Sequence, residues 1–117
     1  MKMRTVFFYL LVAVATAEQA SPPGATFMKA MDASMQKMDR EMAAAPMDGD
    51  VDHDFASMMM PHHRGAIEMA EAELRYGKDP AMRRLAQEIL VDQQSEIDAM
   101  ILWLNKNTEE KWTKGRR

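Results

Sequence analysis

Soft metal ligands are concentrated in one short stretch of the chain, MMMPHH at residues 58–63. Thioether sulfur is a soft, neutral donor and imidazole is a borderline one, so together they suit Cu(I), and Ag(I) for the same reason. Methionine binds without losing a proton, so its affinity for metal is expected to persist at mildly acidic pH. The chain has 14 methionines and no cysteine. Thioethers, histidines and carboxylates are therefore its candidate ligands, and the last two would extend the site to Cu(II) or Zn(II).

Helical spacing places several of these side chains on one face. Met59, His62, Ala66 and Met69 recur at intervals of 3 and 4, and His63 follows Met59 by four. Residues at such intervals are neighbours on a helix. In an antiparallel helical hairpin centred near residue 78, His62 and His63 would face Gln93 and Gln94, with Met100 opposite the turn at 55–59. We therefore predict a level of the hairpin that gathers thioethers, imidazoles, an amide and the Glu96 carboxylate.

Each of these features also has a purely structural interpretation. A lone histidine on a helix is usually satisfied by one hydrogen bond, whereas two adjacent histidines with methionine three and four residues before them favour ligation. A second set of methionines precedes the stretch at intervals of 3 and 4: Met28, Met31, Met35, Met38 and Met42. Methionine fills irregular gaps well, so this stripe is a packing seam, a labile copper-loading surface, or both.

Three helices are predicted to position these residues. A methionine-rich amphipathic helix is expected at 26–45, and the pair at 52–76 and 80–107 forms the hairpin domain 52–107, joined by the short GKD connection. Asp79 before Pro80 is a strong helix start, and Pro61 predicts a kink or a fresh start within the second helix. Residues 108–117 are expected to be a basic, frayed tail. No alternating run of β-branched residues indicates a strand.

The predicted fold is all-α, an antiparallel helical hairpin with an additional N-terminal helix and ferritin-like, four-helix-bundle-type packing. Two arrangements satisfy this pattern. The first helix can pack across the hairpin, or two chains can pair as a homodimer so that their hairpins form the bundle.

The first residues resemble a secretory signal. Lys2 and Arg4 precede an apolar run at 6–15, and Ala15-Thr16-Ala17 has the form of a signal-peptidase site. The run is well short of the roughly 20 residues that span a bilayer, so we expect cleavage after residue 17 and no stable membrane insertion. Residues 18–25 would then form a linker. The net charge of −3 argues against nucleic acid as a partner.

Little in the sequence supports catalysis. There is no HExxH, no Gly-rich phosphate loop and no recognisable nucleophile, and a zinc hydrolase needs three protein ligands where two sound ones are found. A di-iron bundle needs Glu-x-x-His pairs, which the chain lacks. We therefore expect a protein that is not an enzyme. A small metalloenzyme is the weakest alternative.

Residues 52–104 resemble the helical family catalogued as domain of unknown function 305. The likeness rests on Met59-x-x-His62-His63 together with the distant Gln93-x-x-Glu96-Ile97-x-x-Met100-x-x-Trp103-Leu104. It implies a ferritin-like helical bundle, export to the bacterial periplasm or secretion, and Cu(I) or Ag(I) binding linked to metal tolerance. The positions carried over as metal ligands are Met59, His62, His63, Met69 and Met100. Residues 18–51 are expected to lie outside the likeness.

Two functions of different classes follow from these observations. The first is a periplasmic copper-binding protein that buffers or carries Cu(I). The second is a helical interaction module that forms dimers and uses its methionines only for packing.

Overall fold

The computed structural model describes residues 22–115, which form three α-helices and no strand. They are α1 (Pro23–Ala43), α2 (Val51–Tyr76) and α3 (Pro80–Lys114). The predicted all-α fold, with a hairpin and an additional N-terminal helix, is confirmed. The predicted signal at 1–17 and the start of the linker lie outside the described residues.

Aspartate side chains cap the hairpin helices. The Asp50 carboxylate accepts hydrogen bonds from the backbone N–H groups of Asp52 and His53, both at 3.1 Å. At the start of α3, the Asp79 carboxylate accepts from Ala81 and Met82 at 2.9 and 3.0 Å. A side-chain oxygen at this position satisfies N–H groups that have no partner inside the helix. The caps explain why α2 and α3 begin within a residue of their predicted starts.

The first helix begins earlier than predicted. It starts at Pro23, inside the segment 18–25 that was expected to be a linker. Proline is favourable in the first turn of a helix because its fixed φ suits the helix and its missing N–H is not needed there. α1 therefore begins at the Pro-Pro pair and not after it.

Pro61 lies inside one continuous helix. α2 runs from Val51 to Tyr76 without interruption, and Pro61 is buried. The alternative in which a new helix begins at Pro61 is therefore wrong. α1 packs against α2 one turn after this position, where Ser34 and Met38 lie at the buried Gly65. Tertiary packing of this kind outweighs the local cost of a proline.

The third helix continues seven residues past its predicted end at 107, and the predicted tail at 108–117 is helical to Lys114. The Asn107 amide and the Thr108 hydroxyl donate to backbone carbonyls one turn earlier, at 2.8 Å each. In addition, Lys111 Nζ lies 2.9 Å from a carboxylate oxygen of Asp48 in the loop between α1 and α2. This contact connects the last turns of α3 to a distant loop.

α2 is the central helix of a single layer. α1 and α3 both pack against α2, and they have no contact with each other in the described range. On one side, the Ser34 hydroxyl donates to the Gly65 carbonyl at 3.2 Å. On the other side, His63 contacts Glu96 of α3. The layer therefore has two broad faces.

One broad face is charged. A groove between α1 and α2 and a groove between α2 and α3 share the lining residues Glu68 and Glu71, so both open on the same side of the layer. That side also carries Lys37, Arg64 and Arg75, and Lys37 forms an ion pair with Glu68. We call this side the charged face.

The opposite face is rich in methionine. Two more grooves lie between α2 and α3 on this side, lined chiefly by Met69, Met82, Leu85 and Ile89, and by Phe55, Met100 and Trp103. His62 belongs to the same side because it follows Phe55 by seven residues and precedes Met69 by seven, which is two helical turns in each direction. On α1, the flank opposite to Ala33 and Lys37 carries Met28, Met35 and Met42. We call these residues together the methionine face.

The core between the helices is thin. No large side chain in the described range is completely buried, and its buried apolar residues are Ala56, Pro61, Ala70, Ala72, Ala86 and Ile97. Small residues let helices approach closely but contribute little buried area. None of α1 to α3 combines the length and the apolar character that crossing a bilayer requires.

Candidate metal-binding site

His63 is held firmly between α2 and α3. Its side chain is buried, with 8% of the residue surface exposed. Its Nδ1–H donates to the backbone carbonyl of Met59 at 2.7 Å, and its Nε2 contacts the carboxylate of Glu96. Because a carbonyl oxygen only accepts, Nδ1 carries the hydrogen and Nε2 is directed at Glu96. A backbone hydrogen bond of this kind orients many metal-ligating histidines.

His62 points in a different direction from its neighbour. It is exposed, and its ring centroid lies 6.0 Å from that of His63 at an interplanar angle of 64°. Neither of its ring nitrogens makes a hydrogen bond with a residue of the described range. The two adjacent imidazoles therefore present one fixed donor in the α2–α3 contact and one free donor on the methionine face.

The hairpin register agrees with the predicted one to within a turn. His63 meets Glu96, not Gln93 or Gln94, and Met100 lines a groove with Phe55, as expected. Glu96 was placed near this level by the sequence but was not included among the candidate ligands. Its signals in the sequence were the periodicity of α3 and its place in the motif that carries the family resemblance.

The five candidate ligands are distributed along the hairpin. Met59, Met69 and Met100 are all half-buried. Met69 lies in the groove with Met82 and Leu85, about 10 Å along α2 from His62 at the usual helical rise, whereas Met100 lies in the other groove. The imidazoles sit between these two thioethers. The arrangement is a line of donors along the hairpin, with His62 on the methionine face and His63 inside the α2–α3 contact.

A separate cluster of imidazole and carboxylate groups lies at the start of α2. Asp48, His53 and Asp54 each offer an oxygen or nitrogen atom within 4.8 Å of the others. The His53 Nδ1–H lies 3.2 Å from an oxygen of each aspartate. This cluster was not identified from the sequence, where the only hint is a run of aspartates with a histidine in the next turn. Lys111 already neutralises Asp48 there, so the cluster ties the loop to α2 and α3.

Hydrogen bonds lower the pKa values of both aspartates. For Asp54, the main cause is the backbone N–H of Asp48, which donates to its carboxylate at 2.8 Å, followed by the His53 side chain. For Asp48, the main cause is the Lys111 ammonium, followed by the backbone N–H of Asp50. Both sets of donors favour the charged carboxylate. The pKa of Lys111 is raised by the same contact with Asp48.

Acid should reduce the stability that the charged Asp54 carboxylate gives to the loop between α1 and α2. A lowered pKa in the folded state means that the stabilisation is fully present above the ordinary value of 3.8 and is lost as the pH falls below it, through the folded-state value. We expect Asp54→Asn to reduce the stability at neutral pH and to flatten the loss of stability between about pH 5 and pH 2. Urea unfolding across this range measures both effects.

Asp32 provides the control for that measurement, because it is exposed and makes no hydrogen bond or ion pair with the described residues. Asp32→Asn should leave the acid profile of the wild type unchanged. If Asp54→Asn also leaves it unchanged, the loop network does not contribute to acid sensitivity.

Comparison with known proteins extends the sequence resemblance. A family model described as "Domain of unknown function (DUF305)" matches residues 10–104. The match is longer than expected, since it includes α1 and the loop at 44–50, which were thought to lie outside the likeness. Uncharacterized protein L153 of Acanthamoeba polyphaga mimivirus is 39% identical over 49 residues, which are 42% of this chain and 32% of the viral protein. The aligned part thus spans about a third of that relative.

Proposed function

The chain belongs to the DUF305 family, and we propose that it binds Cu(I) through methionine and histidine side chains and serves in copper buffering, transport or tolerance. The observation that carries this proposal is the position of His62. Its ring is exposed and makes no hydrogen bond with the described residues, and it stands on a face lined by thioethers. Soft and borderline donors placed together in this way favour Cu(I) and Ag(I).

The donor chemistry of the methionine face fits a soft cation. No lysine or arginine lines its two grooves, and their charged residues are Asp52 and Glu73. A cation approaching this face therefore meets neutral thioethers, imidazole and negative charge, with no ammonium or guanidinium group to repel it. The charged face lacks this character, because Lys37, Arg64 and Arg75 lie on it.

The two histidines would have different roles. In a single chain, His62 is exposed and its ring is free to turn towards an ion. His63 is oriented by the Met59 carbonyl, and its Nε2 is directed towards Glu96. Copper bound at this nitrogen would displace the proton that lies between Nε2 and Glu96 and release it to solvent, and the freed carboxylate would then add negative charge beside the ion. Met59 and Met100 are the nearest candidate thioethers along the hairpin, and Met69 lies further along α2.

The proposal includes export to the periplasm or secretion. The signal-like residues 1–17 and the absence of cysteine support it, because thioether ligands persist in an oxidising compartment where free thiols pair. A role in buffering or carrying copper requires binding and release and no chemical conversion, in agreement with a protein that is not an enzyme.

Competition titration with a Cu(I) chelator tests the site. We expect His62→Ala and His63→Ala each to weaken Cu(I) binding by the mature chain at least about tenfold, and the double variant to weaken it further. Met59→Leu and Met100→Leu should have smaller effects, since each removes one thioether and keeps the packing volume. Circular dichroism of each variant establishes that the helices are intact.

His53→Ala is the matched control, because His53 is the third histidine of the chain and belongs to the separate aspartate cluster. It should bind Cu(I) as the wild type does. Equal affinity in the wild type and in the His62/His63 double variant would refute the site. A loss in His53→Ala comparable to that in His62→Ala would place the copper elsewhere.

A further inference from the structure

The described helices form one layer where a globular domain usually has two. Stable domains bury the apolar side of each element against a second layer, but α1 and α3 lie on different sides of α2 and leave both broad faces open. The apolar core between the helices is made of alanines, Pro61 and Ile97. The larger apolar side chains are therefore found on the surface, where a second layer would cover them.

The methionine face exposes much of the area that a stable interface would bury. Phe55 is 62% exposed, Met82 50%, Leu85 46% and Trp103 37%, and on α1 Met28 and Met35 are 55% and 39% exposed. At about 200 Å² for each of these six side chains, the exposed part amounts to roughly 600 Å². A standard protein interface buries about 800 Å² on each partner. The six side chains thus supply most of the area that a specific interface needs.

We propose that a second copy of this chain covers the methionine face through a twofold axis near His62. The spacing along α2 makes the face self-complementary, because Phe55 and Met69 stand seven residues before and after His62. An axis there places Phe55 of one copy over the groove beside Met69 and Leu85 of the second copy. The symmetry places Phe55 of the second copy over the same groove of the first. That groove has a volume of about 260 Å³ and the groove beside Phe55 about 290 Å³. In such an isologous interface both copies use the same surface.

Charge determines how this association responds to salt. The same axis brings Asp52 of one copy near Glu73 of the other, and no lysine or arginine lines either groove to offset them. Like charges oppose association and are screened by salt. The interface is therefore held by apolar contact, and adding sodium chloride should tighten it. An interface built on the charged face, with its mixed ion pairs, would weaken under the same change.

Sedimentation of the mature chain, with a chelator present and copper absent, tests the proposal. The wild type should be a dimer at micromolar concentrations. Leu85→Glu introduces a charge into both symmetry-related grooves and should raise the dissociation constant roughly 100-fold. Ile101→Glu is the matched control, because Ile101 is 38% exposed in a groove of the charged face, and it should remain a dimer. A monomeric wild type, or equal dissociation in the two variants, would overturn the proposal.

Disulfide cross-linking gives a second measurement that does not depend on the folding of a charged variant. The chain has no cysteine, so a single introduced thiol can pair only with its copy in another chain. His62→Cys should form a cross-linked dimer readily under mild oxidation, because residues at a twofold axis lie within disulfide distance. Arg64→Cys, also exposed but on the charged face, should not. Equal cross-linking of both would overturn the axis at His62. Neither of these experiments contains copper. A failure of the dimer proposal can therefore be distinguished from a failure of the copper titration.

Discussion

Ile97→Ala is expected to lower the free energy of unfolding by about 2–4 kcal/mol, which is the usual range for removing a buried isoleucine side chain. Ile97 is 4% exposed, and the other buried apolar residues of the described range are alanines and Pro61. Its side chain therefore provides a large share of the apolar contact between α2 and α3. Urea unfolding followed by circular dichroism, at one fixed protein concentration, measures the change.

Val91→Ala separates this effect from a general response to shortening an apolar side chain on α3. Val91 is 69% exposed on the same helix, so its truncation should change the free energy of unfolding by no more than about 0.5 kcal/mol. Equal losses in the two variants would mean that the hairpin is not held together at Ile97.

Local signals in the sequence were sufficient for most of the fold. The caps at Asp79-Pro80 and at the aspartates before α2 are formed with backbone groups only two or three residues away. The starts of the hairpin helices could therefore be predicted closely from the sequence. The end of α3 could not, because Lys111 is held by Asp48, which is 63 positions away in the chain. The uninterrupted passage of α2 through Pro61 likewise depends on the helices packed around it.

The candidate site could be predicted to a level of the hairpin but not to individual contacts. A register that is correct to one turn places His63 beside a group of three or four residues, and only the folded hairpin selects Glu96 among them. The Asp48–His53–Asp54 cluster was missed for a different reason. It forms because the loop turns back at Gly49, which has a φ of +85°, and this conformation brings the N–H of Asp48 to the Asp54 carboxylate. The spacing of apolar residues in the sequence does not predict such a turn.

The position of α1 also depends on a single small residue. The stripe of methionines at intervals of 3 and 4 could have faced inwards as a complete seam. Instead, Met38 packs on α2 at Gly65, whereas Met28 and Met35 remain exposed. The packing interpretation therefore applies to Met38, and copper loading by the exposed members of the stripe stays a prediction. The close approach of the α1 and α2 backbones at Gly65 determines which methionines of α1 face outwards.

Gly65→Val tests the close approach of α1 to α2. It should lower the free energy of unfolding by about 1–3 kcal/mol, as overpacking of a tight contact does. A Cβ atom at Gly65 would lie 2.8 Å from Met38 Sδ and 3.1 Å from Met38 Cβ. The sulfur can move away, but the Cβ moves only with the backbone of α1, so the Ser34 hydrogen bond to the Gly65 carbonyl must lengthen. The gain in helix propensity from replacing glycine, under about 1 kcal/mol, offsets only part of this cost.

Urea unfolding measures the loss from Gly65→Val, and amide hydrogen exchange locates it. Because α1 contacts α2 and not α3, exchange should accelerate along α1 while the amides of α3 around Ile97 keep their protection. Gly24→Ala is the control, since no atom lies within 4 Å of a Cβ at that position, and it should not destabilise the protein. A Gly65→Val variant as stable as the wild type, with α1 equally protected, would show that α1 does not depend on close approach at Gly65. The exposure of Met28 and Met35 on the methionine face would then need another cause.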